Sequence, residues 1–199
     1  MSLRARKIAE KKEEIIRMAI RVLSEKGYYG ITMEEIASKL LMTKGTVYYY
    51  FKDKQDLLYQ SQMMLLGKSL DNMNSIRQQD LPIMDKLKKA MTTHIEYLLT
   101  EKSGFESMLK PEQIFSKEQL EVILKRRDDY GKCFDQLIAE GIEANTFYPV
   151  DIKVVRNIIL GAMNWVIQWY SDSGKKSKTE IAEDITEYLL RILIKTGGD

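Results

Sequence analysis

The run Thr32–Phe51, TMEEIASKLLMTKGTVYYYF, constrains this chain more than any other stretch, because its caps and breaks dictate two short helices joined by a tight turn. Thr32 reads as an N-cap, and Glu35 three residues on completes the pattern of a capping box. A short amphipathic helix follows through Ile36, Ala37 and Leu40. Leu41 and Met42 then give way to Thr43, a second N-cap, and another short helix carries Lys44 to Tyr50. Two helices of about two turns separated by about three residues make a helix-turn-helix unit. Ala37 lets the helices cross closely, and Leu40, Met42 and Val47 are expected to supply the small core between them.

The second helix leaves Lys44, Gly45, Thr46, Tyr48 and Tyr49 over: an ammonium, a bare backbone, a hydroxyl and two phenols. Such groups donate to phosphate oxygens and base edges, and the helix N-terminus adds its own unpaired N–H groups. Consecutive tyrosines on so short a helix make poor solvent-facing decoration unless something covers them. Tyr50 is as readily core as surface.

The run LLMTKGTVYYYFKDKQDLL, preceded by KGYYGITMEEIA, closely resembles the DNA-binding region of the tetracycline-repressor-like transcription regulators. The resemblance rests on Lys26-Gly27-Tyr28 at a helix end, the Thr32 cap, Ile36-Ala37, the KGTVYYYF helix and Lys54 opening the next helix. It implies that Lys44, Thr46 and Tyr48 meet base edges or the groove, with Gly45 beside them. It also implies that Thr32, Thr43, Tyr49, Tyr50 and Lys54 position phosphates. Leu41 departs from the pattern, since glycine is usual at that turn. A leucine there must tolerate an unfavourable backbone conformation or shift the turn.

At 199 residues the chain fits one or two domains and can bury a substantial core. Three prolines, no Ser/Gly-rich tract and no strand-like alternation point to an all-α protein. The expected division is a three-helix DNA-binding domain over 1–52, then a helical ligand-binding and dimerisation domain over 53–199. No run of 18 apolar residues and no signal-peptide stretch occurs, so a cytoplasmic protein is expected. The lone Cys133 leaves no intrachain disulfide. Residues 1–60 hold 12 Lys/Arg against 8 Asp/Glu, a charge of +4, and the remaining 139 residues carry −2. Arg4, Arg6, Lys7, Lys11 and Lys12 form a basic arm ahead of the first apolar stripe. Such an arm adds salt-dependent, sequence-blind affinity for phosphates.

The first helix is expected over about Lys7 to Lys26, with Ile15, Ala19, Val22 and Leu23 inward and Gly27 as its stop. Asp53 caps a long helix running to about Ile76. Asp80 and Pro82 open another helix, with the stripe Ile83, Leu87, Met91, His94 and Leu98. Ser116 and Gln119 form a capping box for a helix striped by Leu120, Ile123, Arg127, Tyr130, Phe134, Leu137 and Gly141. Asn145 to Pro149 is a loop. Asp151 opens a helix apolar nearly all round, from Ile152 to Trp169, and a Ser177/Glu180 box opens the last.

A helix apolar on every face must be buried on every face. The last two helices, about 151–172 and 178–195, are either unusually central in a monomer or pair with the same helices of a second copy; the family resemblance implies the pairing, and a dimer is expected. A dimer matches one recognition helix to a palindromic operator.

The resemblance further implies a small-molecule effector site in the helical body. Arg127 falls on the apolar stripe beside Tyr130, where a buried guanidinium needs an anion, either a ligand's or a neighbouring Asp or Glu. His94 lies on an apolar stripe too, as a core residue or a ligand contact. The methionines at 63, 64, 73, 84, 91, 108 and 163 suit an adaptable cavity or an ordinary core. The runs RRDDYGKCF, LIAEGIEAN and LGAMNWVIQWY are similar to the body of family members that answer acyl-CoA thioesters. That similarity implies an apolar tail held by methionines such as Met91, Phe134 and Trp165 or Trp169, and a phosphate met by Arg126 or Arg127.

No catalytic constellation stands out. One His and one Cys give no metal spacing, no glycine-rich phosphate loop follows a strand, and Glu34-Glu35 and Asp128-Asp129 diverge on their helices as solvated surface. Neither an enzyme nor a resident cofactor is expected. The competing reading is a helical protein-interaction or ligand-binding module without sequence-specific DNA binding.

Overall fold

A computed structural model describes residues 2–107 and 111–194, so Met108 lies outside the described residues. Among these, nine α-helices follow one another: α1 (Leu3–Gly30), α2 (Met33–Lys39), α3 (Lys44–Tyr50), α4 (Lys54–Arg77), α5 (Ile83–Thr100), α6 (Lys102–Ser107), α7 (Lys117–Glu143), α8 (Ile152–Trp169) and α9 (Lys178–Leu190). A 3-10 turn at Pro111–Gln113 precedes α7, and the one β-bridge among the described residues pairs Phe147 with Ile194. The all-α expectation is met. No described helix is long and apolar enough to cross a membrane.

Contacts group the chain into two compact units, Met1–Leu66 with Ser103–Leu124 and Gly67–Lys102 with Lys125–Asp199. In the first, Ile15, Ala19, Val22 and Leu23 of α1 are buried together with Ile36, Ala37, Val47, Phe51 and Leu57. Gly104 lies so close to Leu65 and Ile20 that an added Cβ would stand 2.8 Å from the leucine's Cδ1. Gln55 of α4 donates to Gln119 Oε1 at 3.0 Å, and that same oxygen accepts from Ser116 N at 3.2 Å in a fully formed capping box of α7.

In the second unit α5 packs on α8 and α9. Met91, Ile95, Ile159, Met163 and Leu193 are fully buried, and the buried Thr186 accepts from Thr92 at 3.3 Å. Asp151 caps α8 at Val154 N (3.0 Å), and Ser177 and Glu180 close a reciprocal box on α9.

Several helix ends differ from expectation. The basic arm is helical: Ser2 caps α1 at Ala5 N, and Arg6 pairs with Glu10 at 2.9 Å. Gly27 does interrupt α1, with φ 69° and ψ 178°, a conformation that side chains disfavour, yet a further turn runs to Gly30. Only half of the Thr32 box forms. Thr32 accepts from Glu35 N at 3.2 Å, while the Glu35 carboxylate turns to Lys26 at 2.7 Å. Leu40 and Met42 are half-buried, so Ile36, Ala37 and Val47 carry the core between α2 and α3.

Leu41 accepts the left-handed conformation (φ 54°) instead of shifting the turn. Met42 N donates to Ala37 O at 2.9 Å and Leu41 N to Ser38 O at 3.1 Å, a Schellman end with leucine in the glycine position. The left-handed backbone costs a leucine about 1–2 kcal/mol, and its side chain, 96% exposed, recovers nothing by packing.

Candidate nucleic-acid interface and effector site

The helix α3 is held from beneath and open above. Val47 is fully buried and Phe51 nearly so, while Tyr48 and Tyr49 are exposed and Tyr50 is half-buried with its ring edge-on to Tyr49 at 5.0 Å. Thr43 accepts from Thr46 N at 3.1 Å and shares a 2.8 Å hydroxyl–hydroxyl bond with it. The two threonines thus fix the first turn. An added Cβ at the exposed Gly45 would meet only Thr43 Oγ1 at 3.8 Å, so the backbone there is open to an approaching group. The expected Lys44, Gly45, Thr46, Tyr48 and Tyr49 therefore gather along one short rod, with Tyr50 at its margin.

Two lysines already have partners within the chain. Lys44 ion-pairs with Glu34 of α2 and lies 5.5 Å from the Tyr48 ring centroid. Their shared hydrogen bond holds the Glu34 carboxyl below its ordinary pKa and the Lys44 ammonium above its own. Lys54 donates to Tyr28 O at 3.0 Å and sits 4.4 Å from the Tyr28 ring, tying the end of α1 to the start of α4. An ammonium has three donors, so this contact leaves Lys54 able to meet a phosphate. Glu34 and Glu35 do diverge, but both are ion-paired, where the sequence suggested plain solvated surface. The signal was out of reach, because both partners are remote in sequence.

The effector candidates divide into two groups. His94, Tyr130 and Phe134 come together, with ring centroids 5.5, 6.3 and 5.6 Å apart for His94–Tyr130, His94–Phe134 and Tyr130–Phe134. His94 bonds Tyr130 Oη through Nδ1 at 2.8 Å and Asn164 Oδ1 through Nε2 at 3.1 Å. A carboxamide oxygen can only accept, so Nε2 carries the proton and the phenol donates to Nδ1. Burial lowers the His94 pKa to about 4, with the Asn164 bond opposing, and it raises that of Tyr130. Both groups are neutral at physiological pH. Met91 is buried one turn before His94. The cavity that His94 and Tyr130 line with Asn72, Thr93 and Tyr97 has room for only about 10 Å³.

The remaining candidates lie elsewhere. Trp165 and Trp169 are exposed, on the side of α8 away from Val155, Ile159, Met163 and Val166, so they do not wall this cavity. Arg127 is exposed and Arg126 half-buried, which corrects the buried guanidinium expected at 127. Arg156 of α8 is half-buried instead, its Nε 3.1 Å from Asp135 Oδ1 but not aligned for a hydrogen bond. Gly131, one turn before Asp135, makes the room: a Cβ there would stand 2.8 Å from Arg156 Nη1. Cys133 is buried, its thiol donating to Asp129 O at 3.4 Å and pushed up in pKa by burial.

A family model described as "Bacterial regulatory proteins, tetR family" matches residues 15–60, and one described as "Tetracyclin repressor-like, C-terminal domain" matches residues 80–193. The chain is 23% identical over 182 residues to the fatty acid metabolism regulator protein of Bacillus subtilis, covering 89% of this chain and 92% of that one. The solved fatty acid degradation regulator FadR of Bacillus halodurans is similar with a TM-score of 0.74 and 25% identity, over 90% of this chain and 94% of that one. The regulator AibR, solved with isovaleryl coenzyme A and operator DNA, shares the fold with a TM-score of 0.77 and 21% identity, over 89% of this chain and 96% of that one.

Proposed function

We propose, for a chain that belongs to the tetracycline-repressor-like family of bacterial regulatory proteins, a homodimeric, effector-responsive transcription repressor and not an enzyme. The observation that carries this reading is α3, which buries Val47 and presents Lys44, Gly45, Tyr48 and Tyr49 outward. Residues 1–52 bind the operator; residues 53–199 dimerise and take the effector. In a dimer the two recognition helices meet half-sites about 34–36 Å apart. Its work is cytoplasmic.

The second copy covers the apolar residues left exposed here: Val154, Ile158, Trp165 and Trp169 on α8, Tyr188 on α9 and Ile192 just past its end. On this reading the two tryptophans, exposed in the single chain, belong to the dimer and not to the effector site. The effector is a small apolar or acyl-CoA-type molecule, the class to which the isovaleryl coenzyme A bound by AibR belongs. Met91, His94, Tyr130 and Phe134 lie where an acyl tail would enter, and Arg126 and Arg127 lie toward solvent, where anionic phosphates would remain.

About 10 Å³ beside His94 is hardly the room of one water. An effector can enter only by parting α4, α5 and α7, whose residues Asn72, His94 and Tyr130 line the space. Entry therefore displaces α4, the helix that begins at Lys54 beside the recognition helix, and operator affinity falls by the effector's preference for the parted state. Calorimetry with medium- and long-chain acyl-CoA thioesters is expected to show saturable binding; no heat from any chain length removes this effector class.

Substitutions in the head test the DNA reading. Lys54→Ala should weaken binding to all duplexes alike and reduce the slope of log K against log salt by about one. Tyr48→Ala should instead change which sequences are preferred, by about 1–3 kcal/mol at the positions it reads. An equal loss on every sequence for Tyr48→Ala would argue against its reading bases.

A further inference from the structure

We propose that Glu34 governs how the recognition helix uses its lysine: the carboxylate holds the Lys44 ammonium over Tyr48, so that the cation serves a base edge in a cognate duplex instead of any phosphate in reach. The inference rests on the DNA-binding reading above and adds to it a residue that discriminates among duplexes. Lys44 is the first residue of α3, where the helix's own unpaired N–H groups make the potential positive and a cation is poorly placed. Glu34 stands in the first turn of α2, where a carboxylate is favoured, and reaches across the turn to that ammonium.

The neighbouring charges have other partners. Glu35 is engaged by Lys26 at 2.7 Å, and Lys39 by Glu25 at 2.9 Å. Lys44 is thus the cation to which Glu34 is paired, and the Tyr48 ring 5.5 Å away gives the ammonium a second surface to rest on. Both side chains of the pair are more than half exposed (57% and 55%), so water screens their attraction and the pair orients more than it stabilises. Orientation is what a lysine lacks on its own, being a point charge on a flexible stem.

Releasing that constraint gives Lys44 access to a phosphate on any sequence. One additional phosphate contact steepens the slope of log K against log salt by about 0.9 and raises affinity up to about eightfold near 0.1 M salt. The experiment compares the full-length wild type, Glu34→Gln, Lys44→Ala and the double variant. Each is titrated across salt with two fluorescent duplexes of equal length, one selected by the wild-type protein from a random pool and one of random sequence. Glu34→Gln is expected to bind the random duplex several-fold more tightly with a steeper slope, to narrow the ratio between duplexes, and to do neither once Lys44 is alanine. The proposal is overturned if Glu34→Gln keeps the wild-type slope and ratio. It is equally overturned if the gain persists without Lys44, since Glu34 would then act only as a charge repelled by DNA. Absence of salt-dependent binding by the wild type overturns the parent reading, and this inference with it.

Discussion

Trp165→Glu is expected to yield a folded monomer whose affinity for the selected operator has fallen by about 100-fold or more. Val154, Ile158, Trp165 and Trp169 are 52%, 49%, 65% and 52% exposed in the single chain, and they recur at helical spacing along one side of α8. The other side of the same helix buries Ile159, Met163 and Val166, so the fold of one chain does not depend on Trp165. A second copy seated on this stripe would enclose position 165, and a carboxylate there would be desolvated without a partner, at about 3–5 kcal/mol. Two tethered recognition helices bind far more tightly than one, because the second half-site is met at a high effective concentration. Sedimentation and anisotropy check both halves of the prediction. A dimer that survives the substitution, or a monomer with undiminished affinity, contradicts the assignment of this face.

Gly141→Ala is expected to destabilise the protein by about 3 kcal/mol, because overpacking a filled core forces side chains off their rotamers. A Cβ built at Gly141 would stand 1.9 Å from Phe147 Cδ2 and 2.1 Å from Cε2, and the ring is buried on its other sides. The ring cannot retreat easily, since its backbone is fixed. Phe147 N and Thr146 N both donate to Gly141 O, at 3.0 and 2.9 Å, and Asn145 takes the left-handed conformation that closes α7. At about 2–4 °C per kcal/mol for a chain of this size, the thermal midpoint should drop by roughly 10 °C. Gly67 supplies the contrast. It is also helical, but an added methyl meets nothing within 4 Å, so Gly67→Ala should gain up to about 1 kcal/mol from helix propensity. Equal effects at the two glycines would mean that the close packing of Phe147 does not matter.

Local chemistry was legible in the sequence and remote contact was not. Thr43, Ser116, Asp151 and Ser177 were identifiable as caps because a cap is a bond between residues three apart, and each makes that bond. The strain at Leu41 was legible for the same reason, because the turn prescribes a backbone conformation whatever residue occupies it. Arg127 shows the limit. Periodicity gives a residue's direction around a helix, not whether a neighbouring helix covers it at that height, and Arg127 is exposed on the stripe that buries Ile123 and Phe134. The half-buried ion pair between Asp135 and Arg156 spans two helices, and its sequence trace, a glycine one turn before an aspartate, is too common to single out.

The same limit explains the tryptophans. A helix apolar all round announces that something covers each face, without saying whether that is the chain's own core, a ligand or a second copy. Only the exposure of Trp165 and Trp169 against the burial of Met163 and Val166 separates the sides. In the recognition helix, by contrast, Val47 inward and Tyr48-Tyr49 outward follow from seven residues and two caps, and the structure places them so.

The most direct measurement is duplex binding by the full-length protein followed by anisotropy from about 50 to 200 mM salt, with the duplex selected from a random pool. A recognition helix seated in a groove, with phosphates neutralised on both sides, predicts tight binding that weakens by at least about 100-fold across that range. It also predicts that Tyr48→Ala changes the sequence preference. Binding that is absent, or that is insensitive to salt, would contradict the claim that Lys44–Tyr50 enters DNA.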